Sequence, residues 1–179
     1  GYNEKNRKKI EENAKILNVP ITVFETNIFD VANSVDKSPC YLCARMRRGY
    51  LYSKAKELGC NKIAYAHHKD DIIETAMMSL LYEGRFYAFP PVTHLDRTDL
   101  TVIRPLMLVS EADVKGFRNK YQLPVVKNPC PMDGNTKREY VKKLIQQLNI
   151  DNPGVKTKLF HAIQNGNIQG WLSGTNNAI

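Results

Sequence analysis

No apolar run in this sequence is long enough to span a lipid bilayer, and its start lacks the layout of a signal peptide. We therefore expect a cytoplasmic protein with no membrane partner. Acidic residues are also scarce, because 18 Asp and Glu stand against 26 Lys and Arg, which gives a net charge of +8 and a pI near 9.3. This excess favours a polyanionic partner, most simply nucleic acid, and a generally basic surface is the alternative.

The sequence also contains no internal repeat and no sign of a second domain. The 179 residues suit one domain with its own core, which we assign to residues 1–165. Residues 166–179 are polar and rich in Gly and Asn, which predicts a flexible tail. The first residue is Gly1 rather than Met, and a helical pattern follows at once, so we expect that an N-terminal portion is missing.

Helical and strand patterns alternate along the chain. Apolar residues recurring every three to four positions predict helices at 4–17, 44–59, 70–84, 111–121, 136–148 and 154–165. Short apolar runs predict strands at 21–26, 61–66, 100–106 and 123–127, and residues 84–99 are expected to form a loop. The alternation predicts an α/β fold, a parallel sheet with helices on both faces, in which ligands gather at the carboxyl ends of the strands.

The four cysteines include a CxxC, Cys40-Tyr-Leu-Cys43, just before a predicted helix. In a reducing compartment this spacing indicates a metal site or a redox pair more often than a structural disulfide. Cys130 could join as a third thiolate, because loops at strand ends converge. Zinc would then need a fourth ligand, whereas a three-cysteine iron–sulfur cluster would leave one iron open. A redox dithiol and a chance spacing also remain open. The candidate fourth ligands for zinc are His67, His68 and His94.

Positive charge follows the CxxC directly. Arg45, Arg47 and Arg48 lie within five residues of Cys43, where they would favour thiolates and offset the charge of a cluster. Cys60 precedes a predicted strand in an apolar setting, so we expect it to be a buried small residue and not a ligand.

The segment AHHKDD, residues 66–71, lies between a predicted strand and a predicted helix. Asp70 and Asp71 at a helix start could simply cap free amides and favour the helix dipole. Two adjacent His and two adjacent Asp at such a turn could instead hold magnesium against a nucleotide phosphate. The residues by themselves leave both interpretations open.

Residues 40–75, CYLCARMRRGYLYSKAKELGCNKIAYAHHKDDIIET, closely resemble the CxxC-x-R-x-R-R-G…HHxDD segment of bacterial tRNA-cytidine 2-sulfurtransferases. FPPV, residues 89–92, and VIRPL, residues 102–106, resemble that family within and after its central loop. The resemblance extends from about Tyr2 to Phe160. It implies a Rossmann-like ATP-pyrophosphatase fold of the PP-loop superfamily (HUP, or adenine nucleotide alpha hydrolase-like).

The resemblance also implies a reaction. In the family, ATP and Mg²⁺ activate the carbon-2 oxygen of an anticodon-loop cytidine by adenylation. A 4Fe-4S cluster held by three cysteines delivers sulfur through its open iron, and AMP and 2-thiocytidine result. The implied partners are tRNA and a sulfur donor, either a cysteine desulfurase or sulfide, and a homodimer is left open.

The family's functional residues carry over onto matching positions here. The cluster ligands become Cys40, Cys43 and Cys130, with Arg138 supporting the register of Cys130. The second CxxC usual in the family is incomplete, because Lys127 stands three residues before Cys130. Asp71 and Arg47 take catalytic roles. The residues expected to bind the nucleotide and its metal are His67, His68, Asp70 and Arg138.

One family motif is absent. SGGxDS, which cradles the ATP phosphates on the first strand and turn, does not occur in these 179 residues. We expect that the N-terminal strand and helix are missing, and that the chain as given is not an active ATP-dependent enzyme by itself. Loss of ATP use is the other interpretation. Two further functions remain open: a non-catalytic zinc module that binds nucleic acid, and a PP-loop sulfurtransferase acting on another tRNA base or a small molecule.

Contacts with tRNA are expected on basic helix and loop surfaces. In the loop at 84–99, Arg85 stands beside Phe86, Tyr87 and Phe89, and aromatics beside a cation can stack unpaired bases. The alternative is that these aromatics fold under the loop onto the core. The other candidate contacts are Arg45, Arg48, Lys54, Lys56 and Lys137.

Overall fold

The computed structural model describes residues 4–35, 39–126, 130, 134 and 136–166. In these residues the helices are α1 Glu4–Ile16, α2 Ile28–Asn33, α3 Pro39–Glu57, α4 Lys69–Glu83, α5 Glu111–Lys120, α6 Lys137–Asp151 and α7 Val155–Asn165. The strands are β1 Lys62–Ala64, β2 Val92–Leu95 and β3 Leu100–Ile103. All six predicted helices are confirmed, and the short α2 was not predicted.

The chain divides into two compact units. Unit 1 comprises residues 1–54 and 115–133, and unit 2 comprises residues 55–114 and 134–179. Helices α3 and α5 each pass from one unit into the other. In the part of the chain that the structure describes, no helix is both long enough and apolar enough to cross a membrane.

Unit 2 contains a three-stranded sheet in the order β1-β3-β2. β1 and β3 are parallel, with Ile63 opposite Val102, and α4 lies between them in sequence, as the βαβ pattern predicts. β2 is antiparallel to β3, with Thr93 opposite Val102. The prediction of an unbroken loop at 84–99 is therefore wrong, and the sheet is mixed instead of wholly parallel. The short strand β2 gave little apolar signal, because its residues are exposed or only half-buried.

Three helices of unit 2 build its hydrophobic core. The apolar face of α4 packs with α6 and α7 through Ile72, Ile73 and Ala76, which belong to the first two pairs of its four-residue apolar repeat. Burying each such side chain contributes roughly 1.5–3 kcal/mol of transfer free energy. The helix residues at the centre of this core are Ile72, Ile73, Ala76, Val141, Ile145, Phe160 and Ile163. α4 ends at Gly84, whose φ of 64° is left-handed and whose amide donates to the Ser79 carbonyl.

Unit 1 buries much less apolar surface. α1 has no buried residue, and Ile28 and Ala32 of α2 lie inside. The predicted strand at 21–26 is wrong, because this segment is irregular and no described strand pairs with it. A lone extended segment gains no ladder hydrogen bonds, so its β-branched residues cannot make it a strand. The prediction at 123–127 is wrong for residues 123–126, which form no strand, and Lys127 lies outside the described residues.

Candidate functional site

The turn between β1 and α4 carries the HHKDD residues. α4 begins with a capping box: the His68 amide donates to Asp71 Oδ2 at 2.9 Å, and the Asp71 amide donates to His68 Nδ1 at 3.4 Å. The Asp71 side chain remains 26% exposed. Asp71 is therefore a helix cap whose carboxylate stays partly exposed and could ligate a metal ion, while the positive end of the helix favours an anion such as a phosphate. Its predicted catalytic role stays a prediction.

Asp70 lies in a different environment from Asp71. It is only 7% exposed, and protein donors engage both of its carboxylate oxygens. Oδ2 accepts from the Glu111 amide at 2.7 Å, and Oδ1 accepts from Lys156 Nζ at 2.7 Å. Burial would raise the pKa of Asp70, but these two donors outweigh burial and hold the pKa below its ordinary value. This geometry favours a structural role over the predicted metal or nucleotide contact.

His67 is the centre of an aromatic stack. Its ring lies 5.4 Å from that of Tyr65, edge to face, and 4.6 Å from that of Phe89. Phe89 in turn carries the Arg104 guanidinium 4.8 Å from its ring centroid. His67 Nδ1 is buried and has no hydrogen-bond partner in the described part of the chain. Burial, reinforced by the charges of Arg104 and Arg138, lowers the pKa of His67, so the ring is neutral at pH 7 and keeps one nitrogen unused.

Arg138, at the start of α6, binds α4. Its Nη1 lies 3.1 Å from Glu74 Oε2, and its Nη2 donates to Thr75 Oγ1 at 3.1 Å. Burial raises the pKa of Glu74, against the opposing effect of Arg138. With 43% of its side chain exposed, Arg138 still has surface for an anionic ligand, so its predicted cofactor contact stays a prediction.

Some residues of this cluster were not predicted as site residues. Glu74 is a buried acid on a helix predicted to be amphipathic, and Lys156 and Glu111 come from distant helices. Sequence spacing carries no signal for such pairings, since the partners of Asp70 lie 41 and 86 residues away along the chain.

The CxxC lies inside α3, not before it. Cys40 and Cys43 occupy the first turn, and Arg47 follows one turn after Cys43. Residues spaced three and four apart share a helix face, so these three side chains form one stripe. Cys40 is exposed and Cys43 half-buried, and both are thiols rather than halves of a disulfide.

Cys130 belongs to the same compact unit as the CxxC and is half-buried. In the described residues, no group of three or more His, Cys, Asp or Glu side chains is already arranged to hold a metal ion. The structure thus aligns Cys40 with Cys43 but does not assemble the predicted three-cysteine set, which stays a prediction. Cys60 is exposed, so its predicted burial is wrong. The turn after α3 leaves it at the surface, because Leu58 and Gly59 beside it are exposed as well.

The predicted RNA-contact loop is divided between surface and core. Phe86 and Tyr87 remain about 40% exposed, with the Arg85 guanidinium 4.9 Å from the Tyr87 ring and 2.7 Å from Glu83. Phe89 packs against the hydrophobic core, as the alternative expectation had it. The first half of the loop therefore offers exposed aromatics beside a cation.

Comparisons with known proteins agree on one family. Residues 2–148 match the PP-loop domain. A tRNA-cytidine(32) 2-sulfurtransferase of Anaeromyxobacter dehalogenans (strain 2CP-C) is 37% identical over 160 residues, covering 86% of this chain and 54% of the relative. The protein of the same name from Legionella pneumophila (strain Corby) is 44% identical over 129 residues, covering 72% and 46%. The chain thus spans about half the length of these curated relatives.

A solved structure is similar as well. The U34-tRNA thiolase NcsA from Methanococcus maripaludis, solved with its 4Fe-4S cluster, superposes with a TM-score of 0.72 at 20% identity, covering 95% of this chain and 60% of that one. The likeness confirms the predicted Rossmann-like fold class, with helices on both sides of a mixed sheet in which β1 and β3 are parallel. From the match over residues 2–148, the chain belongs to the PP-loop domain family.

Proposed function

We propose that this chain is part of a cytoplasmic, ATP-dependent tRNA sulfurtransferase that forms 2-thiocytidine in the anticodon loop. The observation that carries the proposal is the 37% identity over 160 residues to a tRNA-cytidine(32) 2-sulfurtransferase. Because the chain spans 54% of that relative, the reaction is assigned to the whole protein and not to these residues alone.

A 4Fe-4S cluster is proposed on Cys40, Cys43 and Cys130. The donor set fits: all three are thiols in one compact unit, and two share a helix face with Arg47. Three thiolates leave one iron free, and the chemistry that such a cluster supplies when bound is an open iron for exogenous sulfur, from a desulfurase or from sulfide. Arg47 would offset negative charge on that face.

The β1–α4 turn is proposed as the nucleotide-facing site. Asp71 carries the accessible carboxylate and would hold Mg²⁺ or orient the activated cytidine, while His68 fixes its rotamer through the capping box. His67 would contribute a neutral imidazole ring to this site, with its Nδ1 buried behind the surface. Arg138 would face phosphate with the exposed part of its guanidinium.

The most informative experiment is nucleoside analysis of tRNA from the source organism. Inactivating the gene that encodes this chain should remove 2-thiocytidine from digested tRNA, as measured by mass spectrometry, and the wild-type gene should restore it. Genes carrying Cys40→Ser or Asp71→Ala should not restore it. Cys60→Ser is the matched control, because Cys60 is an exposed thiol outside the proposed ligand set, and it should restore the modification fully.

Unchanged 2-thiocytidine in the inactivated strain would contradict the proposal. Loss of 2-thiouridine alone would instead keep the PP-loop sulfurtransferase chemistry and reassign the base.

A further inference from the structure

Within unit 2, Asp70 of α4 contacts the first residue of α5 and a residue of α7. It lies in the first turn of α4, accepts from the first amide of α5 at Glu111, and binds Lys156 of α7. The carboxylate is thereby an N-terminal cap for α5 supplied from another helix, since α5's first amides have no partner within that helix.

Two neighbouring contacts strengthen this connection. The Lys69 amide donates to the Val109 carbonyl at 2.9 Å, which ties the start of α4 to the segment before α5. Glu111 Oε1 accepts from Lys142 Nζ at 2.6 Å, which ties α5 to α6. The first turn of α4 is therefore fixed from several directions.

Fixing that turn also fixes Asp71. Consecutive helix residues point about 100° apart around the axis, so a helix that buries Asp70 against α5 and α7 must direct Asp71 elsewhere. Asp71 accordingly lies at the half-exposed His68 end of the turn.

We propose that Asp70 is a positioning residue, which fixes the first turn of α4 through Glu111 and Lys156 and so holds the Asp71 carboxylate in place. The two adjacent aspartates thus have different roles: Asp70 orients the first turn of α4, and Asp71 carries the carboxylate that a ligand can reach. The consequence for catalysis depends on the proposed function, but the structural assignment does not.

The test uses backbone amide NMR and native-state hydrogen exchange on this chain. In Asp70→Asn the Glu111 amide proton should shift upfield, and its exchange should quicken by roughly fivefold to tenfold, because a charge-assisted hydrogen bond becomes a weaker neutral one. The His68 amide, which reports the Asp71 contact, should also quicken, and by more than the core amide of Ile145. A purely global loss of stability would quicken all three equally, and that result would overturn the proposal.

Two controls keep the test decisive if Asp70→Asn fails to fold. Lys156→Met leaves Asp70 in place but removes one of its partners, so the Glu111 and His68 amides should still shift. In the wild type, titration with MgCl₂ alone should shift the Asp71 side-chain carboxyl signal more than that of Asp70. A larger shift at Asp70 than at Asp71, or Glu111 and His68 amides that ignore Lys156→Met, would show that Asp70 does not act by positioning. None of these measurements requires thiolation, so failure of the proposed function would be seen separately.

Discussion

At the residue scale, burial decides which ionisable side chains remain available for chemistry. Asp70 and Asp71 are adjacent in sequence, yet Asp70 is buried between two donors and Asp71 stays partly exposed. Glu74 lies one turn further along the same helix and depends on Arg138 for its charge partner. Desolvation is costly for an ionised carboxylate, so each buried acid here is stable because a specific cation or amide meets it.

The Glu74–Arg138 pair predicts a stability loss. Arg138→Met should destabilise the protein by about 1–3 kcal/mol, less than for a fully buried pair because Arg138 is partly exposed. Burial raises the pKa of Glu74 in the folded protein, so keeping its carboxylate ionised costs folding free energy. This cost should disappear as the pH falls through the Glu74 pKa, because the carboxyl group is then protonated. Chemical denaturation at neutral and acidic pH measures this, with Arg97→Met on the exposed β2–β3 turn as the control. Equal stability of the two variants at neutral pH would contradict the pairing.

His67 predicts a second pH effect. Its folded pKa is lowered by burial, so protonation favours the unfolded chain, and the stability from neutral His67 should be lost as the pH falls below its ordinary value of about 6.5. His67→Gln should lose less stability than the wild type over that interval. NMR titration of the His67 ring should give a pKa below 6.5, and a value above it would show that the ring is not desolvated as described.

At the element scale, the helices were predictable and the short strands were not. The apolar pairs of α4 recur every four residues, which predicts the helix but only part of its buried face. Ile72, Ile73 and Ala76 are buried, whereas Leu80 and Leu81 are exposed. The segment at 21–26 has strand composition, but strand formation depends on a paired neighbour, and a local pattern carries no information about one. β2 was not predicted, although it pairs with β3, because its sequence has only a weak alternation of apolar and polar residues.

The α4 capping box allows the two roles of Asp71 to be separated. Asp71→Ala removes the acceptor for the His68 amide and should cost about 1 kcal/mol of stability. Asp71→Asn keeps an acceptor and removes the charge, so it should cost at most about half of that. If the carboxylate acts in thiolation, both variants should fail to restore 2-thiocytidine. Thermal unfolding measures the stability of both variants, and nucleoside analysis of tRNA measures 2-thiocytidine. If Asp71→Asn restores 2-thiocytidine, Asp71 acts as a helix cap alone.

At the scale of the whole molecule, the sequence predicted the net charge of +8 and a resemblance to one enzyme family over nearly the whole chain. It did not predict the division into two units. Candidate site residues could be located by motif, but their roles could not. The HHKDD sequence does not show that its first aspartate, Asp70, is buried against Glu111 and Lys156, which lie 41 and 86 residues further along the chain. Tertiary partners decide between capping, positioning and ligand binding.

The net charge and the exposed aromatics predict how the proposed tRNA partner would bind. Affinity for an anticodon stem-loop should fall steeply with salt, because bound cations displace counterions from phosphates. Arg85→Ala combined with Phe86→Ala should weaken binding and lower the log–log salt slope by about 1. Fluorescence titration across a salt series measures this. Replacing Phe89, which packs on the core, should instead reduce stability. Affinity that ignores salt or the double substitution would exclude this loop as the contact.

The iron and acid-labile sulfide content of anaerobically reconstituted protein tests most directly whether Cys40, Cys43 and Cys130 share one cluster. The structure places Cys40 and Cys43 on one face of α3, and within its described residues the three thiols are not gathered, so the proposal requires Cys130 to join them when the cluster binds. We expect about four irons and four sulfides per chain in the wild type and in Cys60→Ser, and loss of the cluster in Cys130→Ser. One tightly bound zinc without sulfide, or a full cluster in Cys130→Ser, would contradict the proposed site.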